Sequence, residues 1–417
     1  MSALPLRKGW CPGALRPMPS GDGLIVRLRI SCGALPAQTA GRIAILAARF
    51  GNGSIDLTQR ANLQLRGIRE NALPALTDEL FALGLIDPSA EAEAVRNVIL
   101  SPLAGHDASC KDGSVMARAL ETELRDDTSL HALPAKFGFA VDGGGRWPLG
   151  ATGADVTAYA CDDAAPWRIA LAGADDVSEP LHWHSVADAM LALAKAFLIT
   201  KRPRMRDAVA TLGAPAMFAK GGLHCETVLG LADRKVFVGA LNLSAHVRIT
   251  AIGLPFGRIA TDQLAQLVDA APAAEIRLTP WRTMAFVCAT EAEVERLLAA
   301  ARQLQLVTGP QDARLAIDAC TGAPGCSNGT TPTRDDAARI AQHFGARVIA
   351  PGTIHVSGCA KGCAHRGRAA VTFVARDGRY DLVLNGAPTD EPVERALDPS
   401  TLSGAVDRVL GQAEARP

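Results

Sequence analysis

Hydrophobic residues recur near the start of the chain with two different periods. Residues 23–30 form a short, mostly apolar run that predicts a strand, and residues 39–50 show the spacing of an amphipathic helix. Residues 54–58 and 61–66 then alternate apolar and polar side chains, as half-buried strands do. The pattern therefore predicts strand, helix, strand and strand in that order.

A second helix completes this unit. It is predicted over residues 71–84, because Asn71 is a favourable N-cap and Gly84 a favourable C-terminal stop. The order strand–helix–strand–strand–helix is close to half of a ferredoxin-like domain. The fold class predicted from this unit is α+β.

The same unit recurs later in the chain. One constant shift along the sequence aligns four positions of the first copy with identical residues in the second, namely Leu46 with Leu267, Ile55 with Ile276, Leu57 with Leu278 and Thr58 with Thr279. Upstream, with small gaps, Leu35-Pro36 is matched to Leu254-Pro255 and Gly41-Arg42-Ile43 to Gly257-Arg258-Ile259. Two unrelated strand–helix units would also give some such matches by chance, but duplication accounts for all of them together.

The segments after each copy also correspond, which predicts a duplicated module. Residues 95–105, 133–145 and 166–172 follow the first copy, and residues 316–326, 354–363, 370–375 and 381–384 follow the second. We predict two ferredoxin-like half-domains that pair about a pseudo-twofold axis, and two α/β domains around a shared ligand cleft. The expected units are residues 15–85 and 226–305 for the half-domains, and residues 86–225 and 306–417 for the α/β domains.

Charge and composition narrow the class of protein. Lys+Arg and Asp+Glu both number 43, and 4% of residues are aromatic, so neither a basic surface for nucleic acid nor a base-stacking platform is expected. No apolar run is long enough to span a membrane, and prolines interrupt the first thirty residues where a signal peptide would lie. We expect a cytoplasmic protein with neither a nucleic-acid nor a membrane partner.

Cysteine gives the clearest chemical signal. Of ten cysteines, six lie singly and are expected in the core: Cys11, Cys32, Cys110, Cys161, Cys225 and Cys288. The other four form two separate pairs near the C-terminus, Cys320-x5-Cys326 and Cys359-x3-Cys363. Four thiolates on glycine-rich loops suit a [4Fe–4S] cluster, which takes one cysteine per iron. Structural zinc remains an alternative, although its paired ligands usually lie closer together in sequence than Cys320 and Cys326. A chance grouping of buried cysteines is a second alternative.

Cations in a neutral chain indicate an anionic ligand. Arginine and lysine occur at loop positions of the predicted repeat, at Arg60, Arg66, Arg69, Arg96, Lys136, Lys361, Arg366 and Arg368. A basic run at 201–206 follows a predicted helix over 186–198 and includes Arg202, Arg204 and Arg206. Such groups bind carboxylates, but each could equally be a solvated charge or a helix C-terminal residue.

Electrons are expected to come from outside the chain. Neither a dinucleotide fingerprint nor a P-loop is present, so a separate reductase or a ferredoxin is the predicted donor. Four histidines could ligate iron, at positions His182, His184, His355 and His365. Each is equally compatible with an ordinary core or surface residue.

Several motifs resemble the sirohaem-dependent nitrite and sulfite reductase superfamily: Thr58-x-Arg60-x-Asn62-Leu63-Gln64-Leu65, Arg96-Asn97-Val98, Leu133-Pro134-x-Lys136-Phe137, Cys320-Thr321-Gly322-x3-Cys326 and His355-x-Ser357-Gly358-Cys359-x3-Cys363. The resemblance implies that the four cysteines hold a [4Fe–4S] cluster and that Cys363 bridges it to sirohaem iron. It also implies that Arg60, Arg96 and Lys136 line the anion-binding cleft. One departure is Gly138, where the reductases typically carry a second lysine.

Two further stretches resemble the precorrin-3B synthase branch of that superfamily: Gly9-Trp10-Cys11-Pro12-Gly13 to Gly21-Asp22-Gly23-Leu24, and residues 136–145. This resemblance implies a monooxygenase of aerobic cobalamin (vitamin B12) biosynthesis. Its substrates would be precorrin-3A and O2, with NADH as ultimate electron source, and its reaction would be hydroxylation at C20 with γ-lactone formation. It also implies a mononuclear non-haem iron.

The site expected from all these observations has two parts. Cys320, Cys326, Cys359 and Cys363 would hold the cluster. The macrocycle would be oriented by cations at Arg60, Arg66, Arg96, Lys136, Arg202, Arg204 and Arg206. The alternatives are a nitrite or sulfite reductase, in which case sirohaem is a cofactor, and an iron–sulfur or zinc protein without a substrate of its own.

Overall fold

The computed structural model describes residues 12–161, 167–227, 237–345, 350, 352–365 and 367–414. Four residues named above, Gly9, Trp10, Cys11 and Arg366, lie outside this part of the chain. None of the described helices is long and apolar enough to cross a lipid bilayer.

The first ferredoxin-like half-domain contains five strands and two helices. They are β1 (Met18–Ser20), β2 (Gly23–Leu28), β3 (Ala34–Pro36), α1 (Ala37–Phe50), β4 (Ser54–Leu57), β5 (Leu63–Ile68) and α2 (Leu73–Ala82). The predicted helix at 71–84 begins two residues late, and its predicted N-cap Asn71 lies in a preceding 3-10 turn. Pro74 explains this start, because proline is favoured in the first turn of a helix.

A six-stranded α/β domain follows. Its elements are α3 (Ala90–Val95), β6 (Val98–Leu100), α4 (Ser114–Asp126), β7 (Phe139–Asp142), β8 (Val156–Ala160), β9 (Trp167–Leu171), β10 (Asp176–Ser178), α5 (Trp183–Thr200), α6 (Met205–Leu212), α7 (Ala214–Lys220) and β11 (Cys225–Thr227). The strand order is β11-β10-β9-β8-β7-β6, and β6, β7 and β8 are parallel.

The second half of the chain repeats this plan. The second half-domain comprises β12 (Gly239–Asn242), β13 (Arg248–Gly253), β14 (Arg258–Ala260), α8 (Thr261–Ala270), β15 (Glu275–Leu278), β16 (Thr283–Cys288) and α9 (Glu291–Gln303). The last domain comprises β17 (Ile317–Ala319), α10 (Thr333–Phe344), β18 (Ile354–Ser357), β19 (Ala369–Arg376), β20 (Arg379–Gly386), β21 (Glu394–Leu397) and α11 (Leu402–Glu414). Its sheet has the order β17 to β21, with β17, β18 and β19 parallel.

The two half-domains exchange one strand each. β3 leaves its own half-domain and pairs with β15, where Leu35 lies opposite Ile276, and β14 pairs with β4, where Ile259 lies opposite Ile55. Leu35-Pro36 therefore corresponds to Ile259-Ala260, so the predicted match with Leu254-Pro255 is wrong. The predicted match of Gly41-Arg42-Ile43, which lies inside α1, with Gly257-Arg258-Ile259, which leads into β14, is wrong for the same reason. The matched positions Ile55 and Ile276 do occupy the same place in β4 and β15.

A shared core holds the half-domains together. Helices α1 and α8 pack against each other, and the matched residues Leu46 and Leu267 are both almost fully buried. Residues from both halves form one continuous hydrophobic cluster. Burial of a leucine side chain contributes about 1.5–3 kcal/mol, so this cluster fixes how the two copies meet.

Three of the scattered cysteines are buried as predicted, at Cys32, Cys110 and Cys288. Cys161 and Cys225 are only half-buried, which departs from the expectation of full burial, although Cys225 still packs against the core of its domain. Cys225 belongs to β11 at the edge of its sheet, where one side of the strand is uncovered.

Candidate functional site

The four clustered cysteines meet where two parallel strands end. Cys320 directly follows β17, and Cys359 lies two residues after β18, so both loops leave the same edge of the sheet. The Gly358 N–H donates to Cys320 Sγ over 3.1 Å. The two cysteine pairs therefore lie on loops at one end of the same sheet.

This arrangement fits a cube better than a single ion. No group of three or more His, Cys, Asp or Glu residues in the described ranges is spaced to hold one metal ion. A [4Fe–4S] cluster binds one cysteine at each of four irons, so its ligands do not converge on a point. Cys363 is the exposed member of the four, whereas the other three are half-buried, so Cys363 faces the outside of this group.

Small residues allow the cysteine loops to approach each other. Gly322 has φ +64°, and a Cβ there would lie 2.5 Å from Thr333 Oγ1. At Gly358 a Cβ would lie 3.3 Å from Cys320 Sγ. Larger residues would therefore displace the thiols from one another.

The buried Arg66 contacts the loop that carries Cys320 and Cys326. Its side chain is buried and pairs with Asp22 at 2.8 Å, and its Nη2 donates to the Gly325 carbonyl, next to Cys326. Since the guanidinium is occupied by these partners, the structure places Arg66 as a support of the cysteine loop, not as an open cleft cation.

A buried carboxylate joins three parts of the molecule. Asp56 on β4 pairs with Arg258 of the second half-domain at 2.7 Å, with Arg334 on α10 at 3.0 Å and with Arg66 at 3.9 Å. Burial alone would raise the pKa of Asp56, but Arg334, Arg258 and Arg66 hold it well below its usual range. The cysteine domain is thereby fixed to both half-domains.

Two of the predicted cations come together beside the cysteine loop. Arg60 lies in the β4–β5 hairpin, and its Nη2 donates to the Lys136 carbonyl over 3.0 Å. The neighbouring Gln59 donates to the carbonyl of Ala364, the residue after Cys363, over 2.5 Å. Lys136 is exposed, and its ammonium group has no hydrogen-bond or ion-pair partner among the described residues.

The other predicted cations are placed differently. Arg96 is largely buried and pairs with Asp87 at 2.8 Å. Arg204 pairs with the buried Asp155 at 2.8 Å, and Arg202 and Arg206 are exposed. Lys201 adopts φ +53° as the C-cap of α5, so the basic run marks a helix end. The guanidinium groups of Arg96 and Arg204 are thus both paired with buried carboxylates of the same domain.

The histidines divide into two groups. His182 and His184 are exposed at the start of α5, with their rings stacked 5.7 Å apart. His355 and His365 lie in the cysteine domain, on β18 and just after Cys363. Burial, followed by the nearby His365, lowers the pKa of His355 to about 4, so its ring is neutral at neutral pH.

In the second copy of the repeat, aromatic rings fill the position that corresponds to Arg60. Thr58 and Thr279 make the same hairpin hydrogen bond, to Asn62 and Thr283, so Trp281 is the counterpart of Arg60. Trp281 is buried and stacks on Trp147 with ring centroids 5.4 Å apart. The shift that aligns Thr58 with Thr279 in the sequence already pairs Arg60 with Trp281, and that asymmetry is a signal that sequence reasoning overlooked.

Known proteins share the fold of this chain. Residues 16–83 match the family model of the nitrite/sulfite reductase ferredoxin-like half domain. The structure is similar to that of the Mycobacterium tuberculosis NirA protein, with a TM-score of 0.76 and 18% identity over 94% of this chain and 81% of that one. That likeness confirms the duplicated α+β fold.

Two curated relatives cover most of the chain. A ferredoxin–nitrite reductase of Synechococcus elongatus is 27% identical over 91% of this chain and 83% of its own length. A precorrin-3B synthase of Sinorhizobium sp is 31% identical over 93% of this chain and 85% of its own length. The chain therefore belongs to the precorrin-3B synthase family, within the nitrite and sulfite reductase superfamily.

Proposed function

We propose that this protein hydroxylates precorrin-3A at C20, with closure of a γ-lactone by the ring-A acetate, as precorrin-3B synthase. One atom of O2 enters the product and the other leaves as water. This takes two electrons and two protons, which NADH and one proton supply. The observation that carries the proposal is the contact between Arg60 and Lys136 beside the cysteine loop, in a chain 31% identical to a precorrin-3B synthase.

In this proposal, Cys320, Cys326, Cys359 and Cys363 hold a [4Fe–4S] cluster. The cluster would pass electrons one at a time, which triplet O2 chemistry requires. The backbone N–H of Gly358, aimed at Cys320, tunes such a cluster because hydrogen bonds to cysteine sulfur stabilise its reduced form. In this proposal the exposed Cys363 would be the cluster ligand nearest the cleft.

The substrate is a polycarboxylated tetrapyrrole without iron, so its recognition depends on cations at the cleft. Lys136 offers an uncommitted ammonium group, and Arg60 offers a guanidinium fixed by the Lys136 carbonyl. Charge-assisted hydrogen bonds from these two groups would orient peripheral carboxylates. Arg66, Arg96 and Arg204 are left out of this contact set because internal carboxylates occupy them.

Gly138 favours the synthase over a reductase. The resemblance places a second lysine of the reductases at this position. A Cβ on Gly138 would meet its nearest neighbour, the Asn97 carbonyl, at 3.7 Å, which is an ordinary contact. Since the first side-chain atom has room, crowding at Cβ does not account for the glycine. A site with one positive charge fewer suits a small inorganic anion less well.

Electron delivery and O2 activation complete the proposal. Electrons would pass from NADH through a separate reductase or a ferredoxin, because the chain lacks a dinucleotide-binding fingerprint. A mononuclear non-haem iron would activate O2.

A nitrite or sulfite reductase is the second candidate, supported by the 27% identical relative. Protein purified without air separates the two. A broad iron–sulfur absorption, turnover with precorrin-3A and none with nitrite or sulfite support the synthase. Sirohaem bands with turnover of nitrite or sulfite contradict it. Analysis for acid-labile sulfide excludes the zinc and carrier alternatives when about four sulfides are found and precorrin-3A is converted.

A further inference from the structure

The carbonyl of Ala364, the residue after the exposed Cys363, is held by two side chains. Ala364 is 4% exposed, and its oxygen accepts from Gln59 Nε2 over 2.5 Å and from Arg282 Nη2 over 2.6 Å. A carbonyl oxygen has two lone pairs, so these two donors use its full accepting capacity. Because an unpaired buried carbonyl is unfavourable, the two contacts fix the backbone that directly follows Cys363.

The two donors come from corresponding hairpins of the internal repeat. Gln59 lies between β4 and β5 of the first half-domain, and Arg282 lies between β15 and β16 of the second. In both hairpins a threonine Oγ1, that of Thr58 or Thr279, accepts from the backbone N–H groups two and four residues further on. Both copies of the repeat therefore reach one peptide group of the cysteine domain, each from a turn that its own hydrogen bonds fix.

The hairpins use different positions to reach Ala364. Ala61 and Arg282 occupy the same left-handed position of the turn, with φ +53° and +60°. A long side chain is uncommon in that conformation. In the first copy the position carries only a methyl group, and the donor is Gln59, two residues earlier. The same carbonyl is thus reached by two unlike side chains.

Arg282 also holds the next residue of the loop. Its Nη1 donates to Asp318 Oδ1 over 2.8 Å, and Asp318 Oδ2 lies 2.7 Å from His365 Nδ1. Asp318 belongs to β17, which leads directly into Cys320. The loop that carries Cys363 is therefore tied at two consecutive residues to the second half-domain and to the strand before Cys320.

The hairpin of Gln59 also carries the cleft cation Arg60. Arg60 Nη2 donates to the Lys136 carbonyl over 3.0 Å, on the side of the first α/β domain. Because hydrogen bonds to Thr58 fix this turn, Gln59 and Arg60 move together. A carboxylate that binds the guanidinium of Arg60 therefore acts, through one peptide unit, on the side chain that holds Ala364.

We propose that Gln59 and Arg282 are positioning residues, which fix Cys363 from both half-domains, and that Gln59 transmits the binding of a carboxylate at Arg60 to Cys363. The positioning rests on the observed contacts alone. The transmission rests also on the proposed function, because it needs the tetrapyrrole carboxylates at Arg60. Such a link would make the reduction of the cluster depend on bound substrate.

The first measurement needs no substrate. Gln59→Leu removes one donor at similar side-chain volume, and Arg282→Lys keeps a positive charge for Asp318 without the forked geometry that also reaches Ala364. Both variants should hold about four irons and four sulfides per chain. The electron paramagnetic resonance (EPR) spectrum of the reduced cluster should show altered g values. Iron release to a ferrous chelator should be about tenfold faster than in the wild type, because the loop of Cys363 is less firmly held.

Gln263→Leu and Arg314→Lys are the matched controls. Gln263 on α8 donates to a backbone carbonyl over 3.0 Å, and Arg314 pairs with Asp312 and donates to a carbonyl over 2.6 Å, before β17 and away from the cysteine loops. These variants should lose stability but keep the wild-type EPR spectrum and rate of iron release, since a merely structural contact changes only the free energy of unfolding. Wild-type spectra in both Gln59→Leu and Arg282→Lys overturn the positioning role.

The second measurement adds precorrin-3A to the reduced proteins without air. In the wild type, binding should change the EPR spectrum. Gln59→Leu, which keeps Arg60, should bind precorrin-3A in an absorbance titration without that change. A wild type that binds precorrin-3A with an unchanged spectrum overturns the transmission. A wild type that does not bind precorrin-3A overturns the proposed function and the transmission with it, whereas the positioning of Cys363 is decided by the first measurement alone.

Discussion

Replacement of Asp56 by asparagine leaves three arginines facing one another without their common carboxylate. Removing one partner of a buried ion pair lowers stability by about 3–5 kcal/mol. The lower end applies here, because Arg258 is 29% exposed and Arg66 keeps its pair with Asp22. We therefore expect the free energy of unfolding to fall by about 3 kcal/mol, which is roughly a hundredfold change in the folding equilibrium.

The assay is urea unfolding followed by tryptophan fluorescence, with Glu79→Gln as control. Glu79 pairs with Arg42 and Arg49 at the exposed surface, so its loss should change the free energy of unfolding by less than about 1 kcal/mol. An Asp56→Asn variant as stable as this control would refute the reasoning that Asp56 fixes the cysteine domain to both half-domains.

Acid provides a second check on Asp56. Because its folded-state pKa lies below the ordinary value of 3.8, its ion pairs stabilise the fold fully above that pH. The stabilisation is lost only as pH falls through the lowered pKa. The difference in stability between wild type and Asp56→Asn should therefore be constant above about pH 4 and should shrink in stronger acid. A difference that already disappears near neutral pH contradicts this assignment.

Three further predictions follow from the site. Cys363→Ser should lose most acid-labile sulfide and all hydroxylation, and a fully active variant would show that Cys363 is not a cluster ligand. Lys136→Ala should bind precorrin-3A a few-fold more weakly, measured by absorbance titration, with unchanged iron and sulfide content. Lys220→Ala, at another exposed lysine, is the control. Equal affinities of the two variants would show that Lys136 does not line the cleft. Trp281→Ala should lower the free energy of unfolding by about 3–5 kcal/mol without changing substrate affinity. A loss of affinity would show that the substrate contacts the Trp281–Trp147 stack.

The α1–β4–β5 unit was predictable from the sequence because its apolar spacing alone identifies each element. The exchange of β3 and β14 was not, because so short a strand carries little periodicity and its partner lies in the other half of the chain. The wrong match of Leu35-Pro36 with Leu254-Pro255 has the same origin. Identical residue types at a turn do not reveal which sheet the next strand joins.

The candidate site shows the same division. The spacing of Cys320, Cys326, Cys359 and Cys363 indicated a shared group, and both pairs lie on loops that leave the same end of the β17–β18 sheet. The partners of Arg66, Arg96 and Arg204 were not predictable, because an arginine in a loop looks the same whether it meets Asp22, Asp87, Asp155 or water. Tertiary contacts decide which charges remain available to a ligand.

Turnover of precorrin-3A under ¹⁸O2, with a reductant and the anaerobically prepared protein, tests the central claim most directly. The account predicts a product that carries one ¹⁸O atom per macrocycle, with the second oxygen atom in water. A product without the label, or a protein that holds sirohaem and reduces nitrite while leaving precorrin-3A unchanged, would contradict it.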